Sequence, residues 1–150
     1  MAQVLPAWVL AGIIMALPLG IAAVIDARER RLPNSLAAAL TLIGAAMALW
    51  CYGIEGFVGR LFVAVASCAV LVGLELVWRY VRHASGLGMG DIKALFPLLL
   101  VQPAAALAAF AFALLLLAAA GVVLRQRALP LLPFLAVAWL AVLVGAAMGL

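Results

Sequence analysis

The sequence predicts an all-α, polytopic membrane protein of about six transmembrane helices, forming a single membrane-embedded domain over residues 1–150. Three observations predict it. Of the 150 residues, 71% are hydrophobic and 9% charged, and the mean hydropathy is +1.39, whereas a soluble domain carries roughly a quarter of charged residues. The apolar runs are punctuated at intervals close to the ~20 helical residues that cross a hydrocarbon core about 30 Å thick. Nearly all the basic residues fall on the connections of one face. Nine basic and five acidic residues are too few to cover a separate soluble domain. Cys51 and Cys68 lack metal-ligand spacing, which argues against a zinc site or a disulfide framework.

The first apolar run covers about residues 5–25 and stops at Asp26. It has no basic leading region and no small-x-small site before Asp26, so it reads as a retained helix and not as a signal peptide. The second run follows Pro33-Asn34-Ser35, a good helix start, and continues to about residue 50; residues 51–56 make a short turn. The third covers about 57–77, before a polar stretch with Arg79, Arg82, His83 and Ser85. Residues 86–124 are too long for one crossing and tight for two. Gln102-Pro103 divides them, with the proline suited to the first turn of a new helix. The last run, 130–150, is preceded by Arg125 and Arg127.

Six crossings place Arg28, Arg30, Arg31, Arg79, Arg82, Lys93, Arg125 and Arg127 on one face and leave Arg60 alone on the other. Basic residues mark the cytoplasmic side, so both termini are expected outside. The net charge of +4 is therefore read as topology, with the lipid bilayer as partner and no nucleic acid. The arginines at 28, 30 and 31 are topogenic and also suited to anionic lipid head groups.

That topology brings two carboxylates to one membrane depth. Asp26 closes helix one, and Asp91 opens helix four about one turn inside the span. An ionisable group there is costly and marks a functional site by default. Two acids meeting in a half-dry site cannot both ionise cheaply, so they share a proton. The ionised member can then take a proton from water while the protonated one polarises a carbonyl. This suffices for peptide hydrolysis without a metal or cofactor. Gly86, Gly88 and Gly90 remove three side chains just before Asp91, which lets an extended substrate backbone approach the acid.

Four features carry a resemblance: Asp26-x-Arg28-x-x-x-x-Pro33-Asn34; Gly86-x-Gly88-x-Gly90-Asp91-x-Lys93; the proline-bearing start of the last helix, Leu129-Pro130-Leu131-Leu132-Pro133-Phe134-Leu135-Ala136; and the overall hydropathy and length. On these the chain resembles the type IV prepilin peptidases, membrane aspartic proteases with a Gly-x-Gly-Asp signature. More narrowly it is similar to the short, peptidase-only members that serve Flp/Tad-type pili. The resemblance implies removal of a short basic leader from prepilins or pseudopilins at the cytoplasmic face, typically just after a glycine, with Asp26 and Asp91 as the catalytic pair. The bifunctional members carry a cytoplasmic insertion with paired cysteines and an N-methyltransferase activity. This chain has neither the insertion nor a Cys-x-x-Cys, so methylation and zinc are not expected. Because the surface is basic, recognition is expected to rest on the substrate's hydrophobic helix, with Glu29 as a contact for leader charge.

The remaining polar residues have plainer readings. Lys93 reads first as a snorkelling marker of the basic face and second as a group that tunes Asp91. Pro33 and Asn34 set the start of helix two. Glu75 pairs with Arg79 at i,i+4, and His83 has no partner ligands for a metal. Trp8, Trp50, Trp78 and Trp139 suit interfacial or packing positions. Two rival functions remain: a presenilin-like protease that cuts within a substrate's span, and a non-enzymatic pilus-assembly or ion-pathway subunit.

Overall fold

Residues 7–83, 87–125 and 129–149 are described by the computed structural model. All the secondary structure among them is helical: α1 Ala7–Glu29, α2 Asn34–Arg82, α3 Met89–Val101, α4 Pro103–Leu124 and α5 Leu132–Ala147. Of these, α1, α2 and α4 are long and apolar enough to cross a membrane.

Small residues share the interior with leucines and Trp139, and many large apolar side chains face outward. Alanines 37, 48, 64, 94, 106, 109, 113 and 138 are buried, while Phe62, Ile54, Leu42 and Val122 are each more than 70% exposed. Small residues inside let helix backbones approach closely where no water drives association. Gly44 shows how close: a Cβ there would sit 2.8 Å from the Pro97 carbonyl oxygen and 2.9 Å from the Pro97 Cβ.

Several boundaries differ from expectation. α1 continues to Glu29, so Asp26 lies within its last turn and does not end it. The anticipated turn at 51–56 contracts to one residue, Gly53, with φ 66° and ψ −172° inside the otherwise helical α2. A positive φ suits glycine, which has no Cβ to clash, and one such residue is enough to redirect the chain. α2 also runs on to Arg82, so Arg79 and Arg82 sit on the helix, and His83 closes it in a left-handed conformation. α3 begins only at Met89 and has 13 residues. At 1.5 Å per residue that is roughly 20 Å, short of a full hydrocarbon crossing. Gln102 is extended (φ −154°, ψ 101°) and Pro103 opens α4, as residues before proline favour.

α3 is the buried centre, with eight of its residues enclosed. Contacts fix its neighbours' directions. Asn34 and Gly44, in the first half of α2, meet Lys93 and Pro97 in that order. In the second half, Arg60, Cys68 and Glu75 meet Val101, Ile92 and Leu87. The first half therefore runs parallel to α3 and the second antiparallel, with Gly53 as the reversal. α1 and α5 lie antiparallel: the Trp139 indole donates to the Gly12 carbonyl at 3.0 Å, and Asp26 lies against the Leu132 amide. The C-terminal ends of α1, α2 and α4 thus gather at one end of the bundle. The reversals at Gly53 and Gln102 lie at the other.

Candidate active site

At the first end lies a cavity of about 730 Å³. Both aspartates line it. α1 brings Asp26, α3 brings Asp91, and Leu114, Leu117, Ala118 and Gly121 of α4 form an apolar wall. Arg30, Arg31, Leu32 and Leu131 from the connections complete much of the rim.

Asp26 is 8% exposed. Its carboxyl lies against the Leu132 amide, and its Oδ2 has no hydrogen-bond partner among the described residues. Burial of an unfilled carboxylate oxygen is costly, so the site holds acceptor capacity in reserve. Asp91 is half-buried and close enough to Asp26 to feel its charge.

The orientation of Asp91 follows from its place in α3. Gly88 is the N-cap and Asp91 the third helical residue. The Asp91 amide donates to the Gly88 carbonyl at 3.0 Å, and the Gly88 amide donates back to Asp91 Oδ2 at 3.2 Å. This reciprocal cap satisfies amides that a helix start leaves without partners, and it fixes one oxygen of the carboxyl. A Cβ on Gly88 would stand 2.9 Å from that oxygen, so the glycine clears space for the acid itself. A Cβ on Gly90 would meet the Leu32 Cβ at 3.4 Å, an ordinary contact with the connection after α1. Gly86 lies outside the described residues, as does Arg127.

Lys93 is exposed and lines the cavity, and its Nζ donates to Asn34 Oδ1 at 2.9 Å. It therefore ties the segment after Asp26 to the helix that carries Asp91. Pro33 caps α2, its carbonyl accepting from the Leu36 and Ala37 amides, as its role at a helix start requires. Glu29 is exposed, pairs with Arg31 at 3.4 Å and does not line the cavity. Among the described residues no group of three His, Cys, Asp or Glu side chains could hold a metal ion.

Besides the Lys93–Asn34 bond, sequence reasoning missed a contact of Glu75. Glu75 is 4% exposed and pairs with Arg79 at 2.7 Å, as the i,i+4 spacing indicates. Its other oxygen accepts the Leu87 amide at 2.7 Å. No local pattern signals that bond, since its partners lie on different elements. An acid needing more than one partner to be buried was the available hint.

The model of the type IV leader peptidase family matches residues 13–150. No curated protein and no solved structure matches the chain. The match covers both aspartates, most of α1 and the whole of α2 to α5, and the chain belongs to the type IV leader peptidase family.

Proposed function

From that membership we propose that the protein is a membrane aspartic endopeptidase that removes the short basic leader of a type IV prepilin or pseudopilin. The observation that carries this reading is the meeting of Asp26 and Asp91 in one cavity at the basic end of the bundle. The bundle crosses the bacterial inner membrane six times as one domain, counting the halves of α2 separately, with the cavity open to the cytoplasm and both termini outside. The short α3 extends its crossing with Leu87 and Gly88 before it.

The two acids hold one proton between them, because like charges this close resist double ionisation. The ionised carboxylate accepts a proton from water as the oxygen attacks the scissile carbonyl. The protonated acid donates toward the carbonyl oxygen, and the tetrahedral intermediate collapses with proton return to the leaving amine. The unfilled Oδ2 of Asp26 makes it the better placed acceptor for the water. Asp91, whose Oδ2 accepts the Gly88 amide, takes the donor role through its other oxygen. The apolar α4 wall suits the substrate's hydrophobic helix. The rim cations Arg30, Arg31 and Lys93 do not attract a basic leader, so recognition rests on that helix. Glu29, outside the cavity, can meet leader charge only at its approach. Without the paired-cysteine insertion, the activity is cleavage without N-methylation.

The test is co-expression with a prepilin and mass measurement of the product. The expected result is loss of the leader with the intact protein and retention with Asp91→Asn. Processing by Asp91→Asn at the native rate refutes the mechanism. A cut inside the substrate's span would point to a presenilin-like protease, and proton flux without cleavage to an ion pathway.

A further inference from the structure

Among the described residues, Asp26 and Glu75 are the two buried charged side chains. The mechanism above uses the first and leaves the second without a role. A surface ion pair with Arg79, itself about half exposed, does not require the acid to be buried, and burial weakens the case for such a pair as a source of stability.

The second oxygen of Glu75 explains the burial better. Glu75 Oε2 accepts the Leu87 amide at 2.7 Å, and the next amide along, that of Gly88, donates to Asp91 Oδ2 at 3.2 Å. Two consecutive amides are thus taken by two carboxylates, one from α2 and one from α3. Gly88 has no side chain to restrict its torsions. The direction of its N–H therefore depends on how the preceding peptide is anchored. Leu87 and Gly88 both line the cavity, so any swing at this point moves the hydrogen bond that holds Asp91.

We infer that Glu75 is a positioning residue for the proposed peptidase site, holding the Leu87 amide so that the Gly88 amide stays aimed at Asp91. The inference rests on the reading of Asp26 and Asp91 as the catalytic pair. It differs from a plain ion pair in what it requires: an acceptor for Leu87 is essential, and the charge toward Arg79 is secondary.

The experiment uses the full chain in proteoliposomes with a prepilin substrate, comparing wild type, Glu75→Ala, Glu75→Gln, Arg79→Ala and Asp91→Asn. Hydrogen–deuterium exchange of the segment containing Leu87 and Gly88 is followed in parallel. Glu75→Ala is expected to lower kcat about tenfold or more with KM within about twofold, because the group acts on the acid and not on substrate binding. Glu75→Gln keeps an acceptor and is expected to restore kcat to within about threefold, as is Arg79→Ala, which leaves the acceptor in place. Exchange at the two amides is expected to rise about tenfold in Glu75→Ala and to stay near wild type in Glu75→Gln. If Glu75→Ala does not accumulate, Glu75→Met removes the acceptor at similar volume and carries the same expectation. Native kcat in the acceptor-free variant overturns the inference. So does a loss in Glu75→Gln and Arg79→Ala as large as in Glu75→Ala, which would assign the effect to the ion pair. Failure of the wild type to cleave would strike the proposed function instead, and amide exchange would still decide whether Glu75 holds Leu87.

Discussion

Charge enters the apolar bundle at both ends, and the two ends use it differently. At the Gly53 end, Arg60 Nη1 donates to the Val101 carbonyl at 3.1 Å and to Gln102 Oε1 at 2.8 Å, and its guanidinium lies 3.4 Å from the centroid of the Tyr52 ring. It closes the C-terminus of α3, where helix carbonyls lack partners of their own. At the aspartate end, Asp26 is buried more deeply than the half-buried Arg60 but keeps an oxygen unfilled by the described residues, beside a cavity. Among the described residues the Tyr52 hydroxyl is also without a hydrogen-bond partner, yet it is neutral, and its ring serves as the platform for Arg60. A charge whose bonds end on the protein's own backbone is scaffold. One that keeps bonding capacity open toward a cavity is available for chemistry.

The largest effect that can break this comparison comes from the acids. Asp26→Asn and Asp91→Asn are each expected to lower leader cleavage roughly a thousandfold or more, with thermal unfolding of the inserted protein nearly unchanged. A large fall in stability would show the acids to be structural. Next is pH: with one proton shared by the pair, the rate is expected to fall on both sides of an optimum. Below it both acids are protonated and no base remains; above it both are ionised and no donor remains. A profile flat on the acid side would show that no carboxylate acts as base.

The glycines sharpen the comparison within the site. Gly88→Ala pushes the Asp91 oxygen off the Gly88 amide and is expected to cost about tenfold in kcat, whereas Gly90→Ala makes only ordinary contact with Leu32 and is expected to stay within about twofold. Equal losses would mean that space for substrate, and not the aim of Asp91, sets the need for glycine. The smallest effect on cleavage belongs to Arg60→Ala. It is expected to lower stability by about 1–3 kcal/mol through the orphaned α3 carbonyl and Gln102 while leaving the kcat of the folded fraction within about twofold. Lost cleavage at native stability would break the division between the ends.

Much of this was legible in the chain because it is local or compositional. Apolar run lengths located the helices, Pro103 marked the break after α3, and the i,i+4 spacing of Glu75 and Arg79 gave their pair. Asp26 and Asp91 could be matched across the sequence because a membrane imposes a common depth on helix ends. Contacts joining distant elements had no such guide. Lys93 with Asn34, Arg60 with Gln102 and Glu75 with Leu87 are set by the rotation of each helix about its axis, which run lengths leave undetermined. The boundaries shifted for a related reason. α1 and α2 gain backbone hydrogen bonds by continuing past their apolar runs, so Asp26 lies inside the last turn of α1 and α2 reaches Arg82.

The seam between α1 and α5 has a practical consequence. Trp139 is fully enclosed there with its indole bonded to Gly12, whereas Trp50 and Trp78 are largely on the outside. Replacing the other three tryptophans with phenylalanine would leave a single tryptophan, excitable apart from the two tyrosines at the red edge of the band, in a dry, hydrogen-bonded setting. Its emission maximum would report the docking of the helix that carries Asp26, giving an optical readout of assembly that needs no substrate and no label.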